Sequence, residues 1–130
     1  VLGMGRFGSG IARQLAAHGQ FVLGADFDPD VVARTNDKGI RMVYGDAEDP
    51  EFSTTLPLHK SRWVVCATPQ ADAQITLLKA LRAHGYSGKI ATTAYHERNV
   101  SRLEHAGSDI VLRPFAYAAK EAAEALLGRN

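Results

Sequence analysis

Sulfur is scarce in this chain, with one cysteine, Cys66, and two methionines in 130 residues. A single cysteine excludes an intrachain disulfide and fits a reducing compartment. An excess of charge is missing too. Fifteen basic and fourteen acidic side chains leave a formal net charge of +1. There is no basic field to attract nucleic acid and no acidic tail for a basic partner. No apolar run approaches the ~20 residues that a membrane span needs, and no secretory signal is present. Repeats, low-complexity tracts and internal linkers are absent from the sequence. So is an initiator methionine, and only Val1 and Leu2 precede the first glycine, Gly3. A strand leading into a glycine loop usually spans about 5 residues. The expectation is a fragment of a longer polypeptide, with a truncated first strand and an upstream part that could include any membrane segment.

What is present is an ordinary globular composition, 45% hydrophobic and 22% charged, enough for one domain over residues 1–130. Apolar runs alternate with helical patterns. Val1-Leu2 reads as the end of a first strand, and residues 9–17 read as a helix with Ile11, Ala12 and Leu15 on one face. Further strands are expected at 21–25, 40–44, 63–67, 89–94 and 110–112. Asp28-Pro29 is a helix start, an N-cap carboxylate followed by proline in the first turn, and that helix is expected to run to about Lys38. Asp49-Pro50-Glu51 starts a short helix by the same logic. Longer helices are expected at 72–84, 99–106 and about 116–127. Strands alternating with helices predict an α/β, Rossmann-like, doubly wound parallel sheet, strand order 3-2-1-4-5-6, with helices on both faces.

Gly3-x-Gly5-x-x-Gly8 stands between a strand and a helix, where such a loop cradles a pyrophosphate. The first glycine permits the turn, the second the approach of the phosphates, the third the packing of the helix on the sheet. A glycine-rich turn without a ligand is the alternative. Asp26 ends the second strand, 18 residues beyond Gly8. An acid there takes the ribose hydroxyls of an adenosine and repels a 2′-phosphate. That favours NAD, NADH, AMP, ADP or ATP over NADP; the alternative is a solvated carboxylate. A calcium loop through Asp26, Asp28, Asp30 and Asp37 fails because Val31 stands where the turn needs glycine. An aspartyl phosphotransferase built on Asp26 and Asp28 leaves the three glycines without a role.

The strings "GMGRFGSGIARQL", "GADFDPDVV", "VYGDAEDPEF" and "VVCATP" together resemble an RCK domain, also called a TrkA N-terminal domain. "HAGSDIVLRPF" with the helix after it is similar to the Kef-type potassium/proton antiporter branch. The resemblance covers nearly the whole chain. It implies a cytoplasmic nucleotide-binding module of potassium channels, uptake systems or antiporters. By position, Gly3, Gly5, Arg6, Phe7 and Gly8 match the phosphate loop, and Asp26 and Phe27 the ribose acid and its neighbour. Asp46 and Ala47 match the pair flanking the adenine, and Ala67 and Thr68 the strand end lining the cleft. Asp46 could instead cap a loop. No second RCK lobe follows Asn130 in this sequence.

Enzymatic candidates are weak. Tyr117 and Lys120 are one residue too close for a Tyr-x-x-x-Lys pair, and on a helix that spacing turns the pair away from the geometry such a site requires. His18 and His84 each precede a glycine at a helix end, where a cation suits the dipole, and His59, His96 and His105 lack cysteine or carboxylate partners at metal-ligand spacing. Cys66 lies in an apolar strand and reads as a core residue. The last helix carries a face of small residues, Ala118, Ala119, Ala122 and Ala123, with Leu126 and Leu127. The resemblance implies that it crosses to a second subunit of a homodimer; packing on its own sheet is the alternative. The expected function is therefore nucleotide sensing that gates a potassium or other monovalent-cation transporter, channel or cation/proton antiporter, without catalysis. The runner-up is the NAD-binding domain of an oxidoreductase whose substrate domain lies elsewhere.

Overall fold

The computed structural model describes residues 1–35, 39–49 and 51–129. Five parallel strands alternate with helices in the order α1 (Arg6–Ala17), β1 (Val22–Asp26), α2 (Pro29–Arg34), β2 (Ile40–Tyr44), β3 (Trp63–Val65), α3 (Ala71–Ala83), β4 (Lys89–Thr93), α4 (Val100–His105), β5 (Ile110–Leu112) and α5 (Pro114–Leu126). Single 3₁₀ turns occupy Phe52–Thr55, Leu58–Lys60 and Glu97–Asn99. The fold is a Rossmann-like α/β sheet with parallel strands and helices.

Two ladders are formed, β1 with β2 and β3 through β4 to β5. The expected first strand is reduced to Leu2, which makes a parallel bridge to Ala25 on one side and to Cys66 on the other. Its amide donates to the Val65 carbonyl at 2.7 Å, and its carbonyl accepts from Ala67 at 2.8 Å. One residue thus joins the ladders, and its neighbours point their carboxyl ends the same way.

The apolar strand residues divide between two faces by the period of 2. Met4, Ala12, Val22, Val31 and Ile40 pack beneath α1 and α2. Leu2, Val64, Cys66, Leu78, Leu81 and Ile90 belong to the cluster on the other face. Phe52, Leu56 and Leu58, from the segment between β2 and β3, pack against that second cluster. The expected Asp28 cap is formed, its carboxylate accepting the Asp30 amide at 2.9 Å with Pro29 in the first turn.

Several expectations are corrected. Helix α1 starts at Arg6, not Ser9, and buries Gly8 and Ala12, while Leu15 is 38% exposed. Gly8 is buried so closely that a Cβ there would meet the Gly3 carbonyl and the Ala67 Cβ. Phe21 is fully exposed, and the strand begins at Val22. The expected helix start at Asp49-Pro50 becomes a 3₁₀ turn from Phe52, with Pro50 itself outside the described residues. The expected end of α2 near Lys38 also lies outside them. α5 begins at Pro114, because proline suits the first turn of a helix. No described residue of α5 is buried.

Candidate functional site

The carboxyl ends of Leu2, β1 and β3 lie side by side at one edge of the sheet. Gly3 leaves the sheet at φ +91°, a conformation open to glycine, and its amide donates to the Ala25 carbonyl at 2.9 Å. A Cβ on Gly3 would stand 3.0 Å from the Thr68 amide nitrogen. On Gly8 a Cβ would stand 1.9 Å from the Gly3 carbonyl oxygen and 3.3 Å from the Ala67 Cβ. These two glycines are demanded by packing of the first turn of α1 against the loop and the β3 end. Gly5 is different. It is exposed, it is the N-cap of α1 without a side-chain cap, and a Cβ there would meet nothing within 4 Å. The fold has no steric need of glycine at that position. The first amides of α1, at Arg6, Phe7 and Gly8, have no acceptor within the helix, and the positive end of its dipole lies there.

Asp26 faces this helix end. Its Oδ2 accepts the Met4 amide at 2.8 Å and its Oδ1 accepts the Asp28 amide at 2.9 Å. The carboxylate is fixed beside the glycine loop with acceptor capacity left on both oxygens. Phe27 follows, 66% exposed. Tyr44, paired with Asp26 across the β1–β2 ladder, is 65% exposed beside it. Asp46 accepts the Glu48 amide at 2.9 Å and so caps its own turn, the structural alternative weighed above. Ala47 is buried in the core below.

The opposite wall is Ala67-Thr68. Three successive carbonyls here each accept a side-chain hydrogen bond. Thr93 Oγ1 donates to Cys66, the Tyr95 hydroxyl to Ala67, and Gln74 Nε2 to Thr68, each at 2.8 Å. Gln74 also donates to the Thr93 carbonyl at 2.7 Å and accepts the Thr93 amide at 2.8 Å. Gln74, Thr93 and Tyr95 are the site-shaping residues that the sequence reading missed. The available signal was Gln74, a polar residue at a core-facing position of α3 among Ala71, Leu77, Leu78 and Leu81. Burial pushes the Cys66 thiol up to about 12, so it stays a protonated core group and no nucleophile. Desolvation likewise raises the Tyr95 hydroxyl, which keeps its proton and donates.

The TrkA-N domain family model matches residues 1–114. The chain belongs to the TrkA-N domain family. Ktr system potassium uptake protein C of Bacillus subtilis is 32% identical over 134 residues, covering 100% of this chain and 59% of that protein. The TrkA-N domain here thus spans less than two thirds of that relative. The NAD(P)-binding domain of an exopolyphosphatase-related protein from Archaeoglobus fulgidus superposes with TM-score 0.84 at 25% identity, covering 100% of this chain and 96% of that one. The Shewanella denitrificans Kef C-terminal domain, in its AMP-bound form, shares the fold with TM-score 0.80 at 24% identity, covering 97% of this chain and 77% of that one.

Within this TrkA-N domain the expected site residues fall in groups at the carboxyl ends of the strands. Gly3, Gly5, Arg6, Phe7 and Gly8 form the helix side, Asp26 and Phe27 the β1 side, and Ala67 and Thr68 the β3 side. Asp46 and Ala47 lie just past the end of β2. A concavity of about 800 Å³ lies at the opposite, amino end of the strands between Trp63, Tyr86 and Lys89, away from all of them. Tyr117 and Lys120 are exposed on α5. Among the described residues no group of three or more His, Cys, Asp or Glu could hold a metal ion. Nor, among them, is any helix long and apolar enough to cross a membrane.

Proposed function

We propose that this domain is a cytoplasmic nucleotide sensor that regulates a potassium or other monovalent-cation transport protein, a channel or a cation/proton antiporter, and that it catalyses nothing. The observation that carries this reading is the Asp26 carboxylate, held by the Met4 and Asp28 amides beside the open N-terminus of α1. An adenosine ribose donates its two hydroxyls to that carboxylate. The phosphates then reach the first turn of α1 past Gly5, where unpaired amides and the dipole favour them. Arg6 and Phe7 flank the phosphates, while Phe27, Asp46 and Ala47 border the adenine. Ala67 and Thr68 form the facing wall. A 2′-phosphate would meet the Asp26 charge, so NAD(H), AMP, ADP and ATP are preferred over NADP.

The transport assignment is supported by the likeness to a potassium uptake protein. The ligand class is supported by the likeness to a domain described as NAD(P)-binding. Two copies pair through α5, and the nucleotide favours one arrangement of the pair, which an associated membrane part reads. Such couplings are typically about 1–3 kcal/mol, and a ligand that binds both arrangements equally switches nothing.

A thermal-shift panel of AMP, ADP, ATP, NAD, NADH and NADP on wild type and Asp26→Ala tests the site. Each shift is measured against the same protein without nucleotide. At least one nucleotide with a free 2′-hydroxyl should stabilise the wild type and lose that effect in the variant. If NADP stabilises most, or the variant responds as the wild type does, the Asp26 reading is wrong.

A further inference from the structure

The three side chains that hold the Cys66, Ala67 and Thr68 carbonyls are not equivalent. Thr93 and Gln74 are almost wholly enclosed in the protein. Tyr95 is only half-buried, and the edge of its ring meets Phe115 in the first turn of α5, with centroids 6.2 Å apart at 67°. Its hydroxyl meanwhile bonds the carbonyl of Ala67 at 2.8 Å. Ala67 is the residue whose Cβ would lie 3.3 Å from a Cβ placed on Gly8, and its carbonyl carbon would lie 3.3 Å from one placed on Gly3. One side chain therefore spans from the residue under the glycine loop to the root of a helix with no buried side chain of its own. The chain around that root is tied down too, by the Ala94 amide on the Leu112 carbonyl at 2.8 Å and the Arg113–Glu97 ion pair. Of the three donors at the cleft wall, Tyr95 is the one whose other side rests on α5.

We infer that Tyr95 is a positioning residue that transmits nucleotide occupancy to α5, its hydroxyl following the Ala67 carbonyl and its ring setting the inclination of α5 through Phe115. This rests on the nucleotide-sensing reading above and adds the residue through which that site acts. A nucleotide seated between the glycine loop and the Ala67-Thr68 wall fixes the spacing of those two elements. The hydroxyl bond passes that spacing to the aromatic ring. The ring contact passes it to a helix that no core packing restrains, so a small displacement at the root is carried along the 13 residues of α5 to the face that meets a second copy.

The test is the dimer dissociation constant of the full chain, by sedimentation velocity, with and without saturating AMP, and again with NAD. Wild type, Tyr95→Phe and Phe115→Leu are compared. Tyr95→Phe removes only the hydroxyl and leaves the ring on Phe115. In wild type one of the two nucleotides should shift the constant by ~5-fold or more, the lower end of ordinary coupling. In Tyr95→Phe, at nucleotide concentrations shown to saturate that variant, the shift should fall below about 2-fold while the nucleotide-free dimer constant stays within about 3-fold of wild type, a split that a merely structural hydroxyl would not give. The double variant should be no more uncoupled than either single one. Full coupling in Tyr95→Phe overturns the inference, as does a wild type that binds nucleotide but keeps the same dimer constant or stays monomeric throughout. A wild type that binds neither nucleotide sinks the sensing reading itself, and this one with it.

Discussion

Three glycines of one motif do different things at the residue scale. A Cβ on Gly8 collides with the Gly3 carbonyl at 1.9 Å, a backbone atom that cannot move aside. Gly8→Ala should therefore cost about 1–3 kcal/mol in urea unfolding, as other overpacked sites do. Gly5→Ala meets nothing within 4 Å. It should unfold within about 1 kcal/mol of wild type yet lose nucleotide-induced stabilisation in the thermal-shift panel. If both variants bind nucleotide as wild type does, the loop is a structural turn. Asp26 has two duties, because its carboxylate satisfies the Met4 and Asp28 amides as well as facing the cleft. Asp26→Ala leaves those amides without acceptors and should lower stability by about 1–3 kcal/mol even without nucleotide. Only the difference between the nucleotide-bound and nucleotide-free midpoints reports on binding.

At the scale of elements, the cleft wall depends on α3. Gln74 joins the ends of β3 and β4 through three hydrogen bonds from a fully buried position. Gln74→Leu keeps much of the volume but strands buried backbone groups at Thr68 and Thr93. A loss of more than ~2 kcal/mol in denaturant unfolding is expected. A variant as stable as wild type would mean that water takes over those bonds. The helices themselves were legible in the sequence because their signals are local. Asp28-Pro29 announces α2 by cap chemistry, and the apolar stripe of α3 announces its buried face. The burial of α1 was legible only in part. Ala12 is buried as the period predicts, but Gly8 is buried with it while Leu15 is 38% exposed. Periodicity reports which residues are apolar and is blind to how near the next layer stands.

At the scale of the whole molecule, α5 is the element without a home. Leu126 is 89% exposed, Phe115 68% and Leu127 65%. Leu126→Glu should leave the stability of the monomer within ~0.5 kcal/mol while lowering the mass seen by light scattering at high concentration. An unchanged mass in Leu126→Glu and in a polar variant at Ala122 removes α5 from the interface. The sheet as a whole encloses Cys66, whose thiol is raised to about 12 by burial. An unfolded chain ionises that thiol near ~8.5. Between those values the folded chain keeps a proton that the unfolded chain releases, so stability is full below about pH 8.5 and falls as pH rises toward 12. Urea unfolding at pH 8 and pH 9.5 should differ by roughly 1 kcal/mol in wild type, and that difference should shrink in Cys66→Ala. A thiol reagent should react with the native protein only as fast as it opens.

The sequence by itself determined the alternation of strands and helices, the glycine loop, and the placing of Asp26 at a strand end beside it. All of these rest on near neighbours in the chain, whose dihedral, capping and turn preferences act locally. The family resemblance was legible for the same reason, since it is carried by short strings at strand ends. Only the tertiary structure decided which glycines are steric and which is open; for Gly3 that depends on Thr68 and Ala67, about 60 residues away. The same holds for Gln74, Thr93 and Tyr95, whose backbone partners lie on other elements of the chain. Hydrogen bonds across that distance leave no period and no motif, and they exist only once the sheet has brought the chain together.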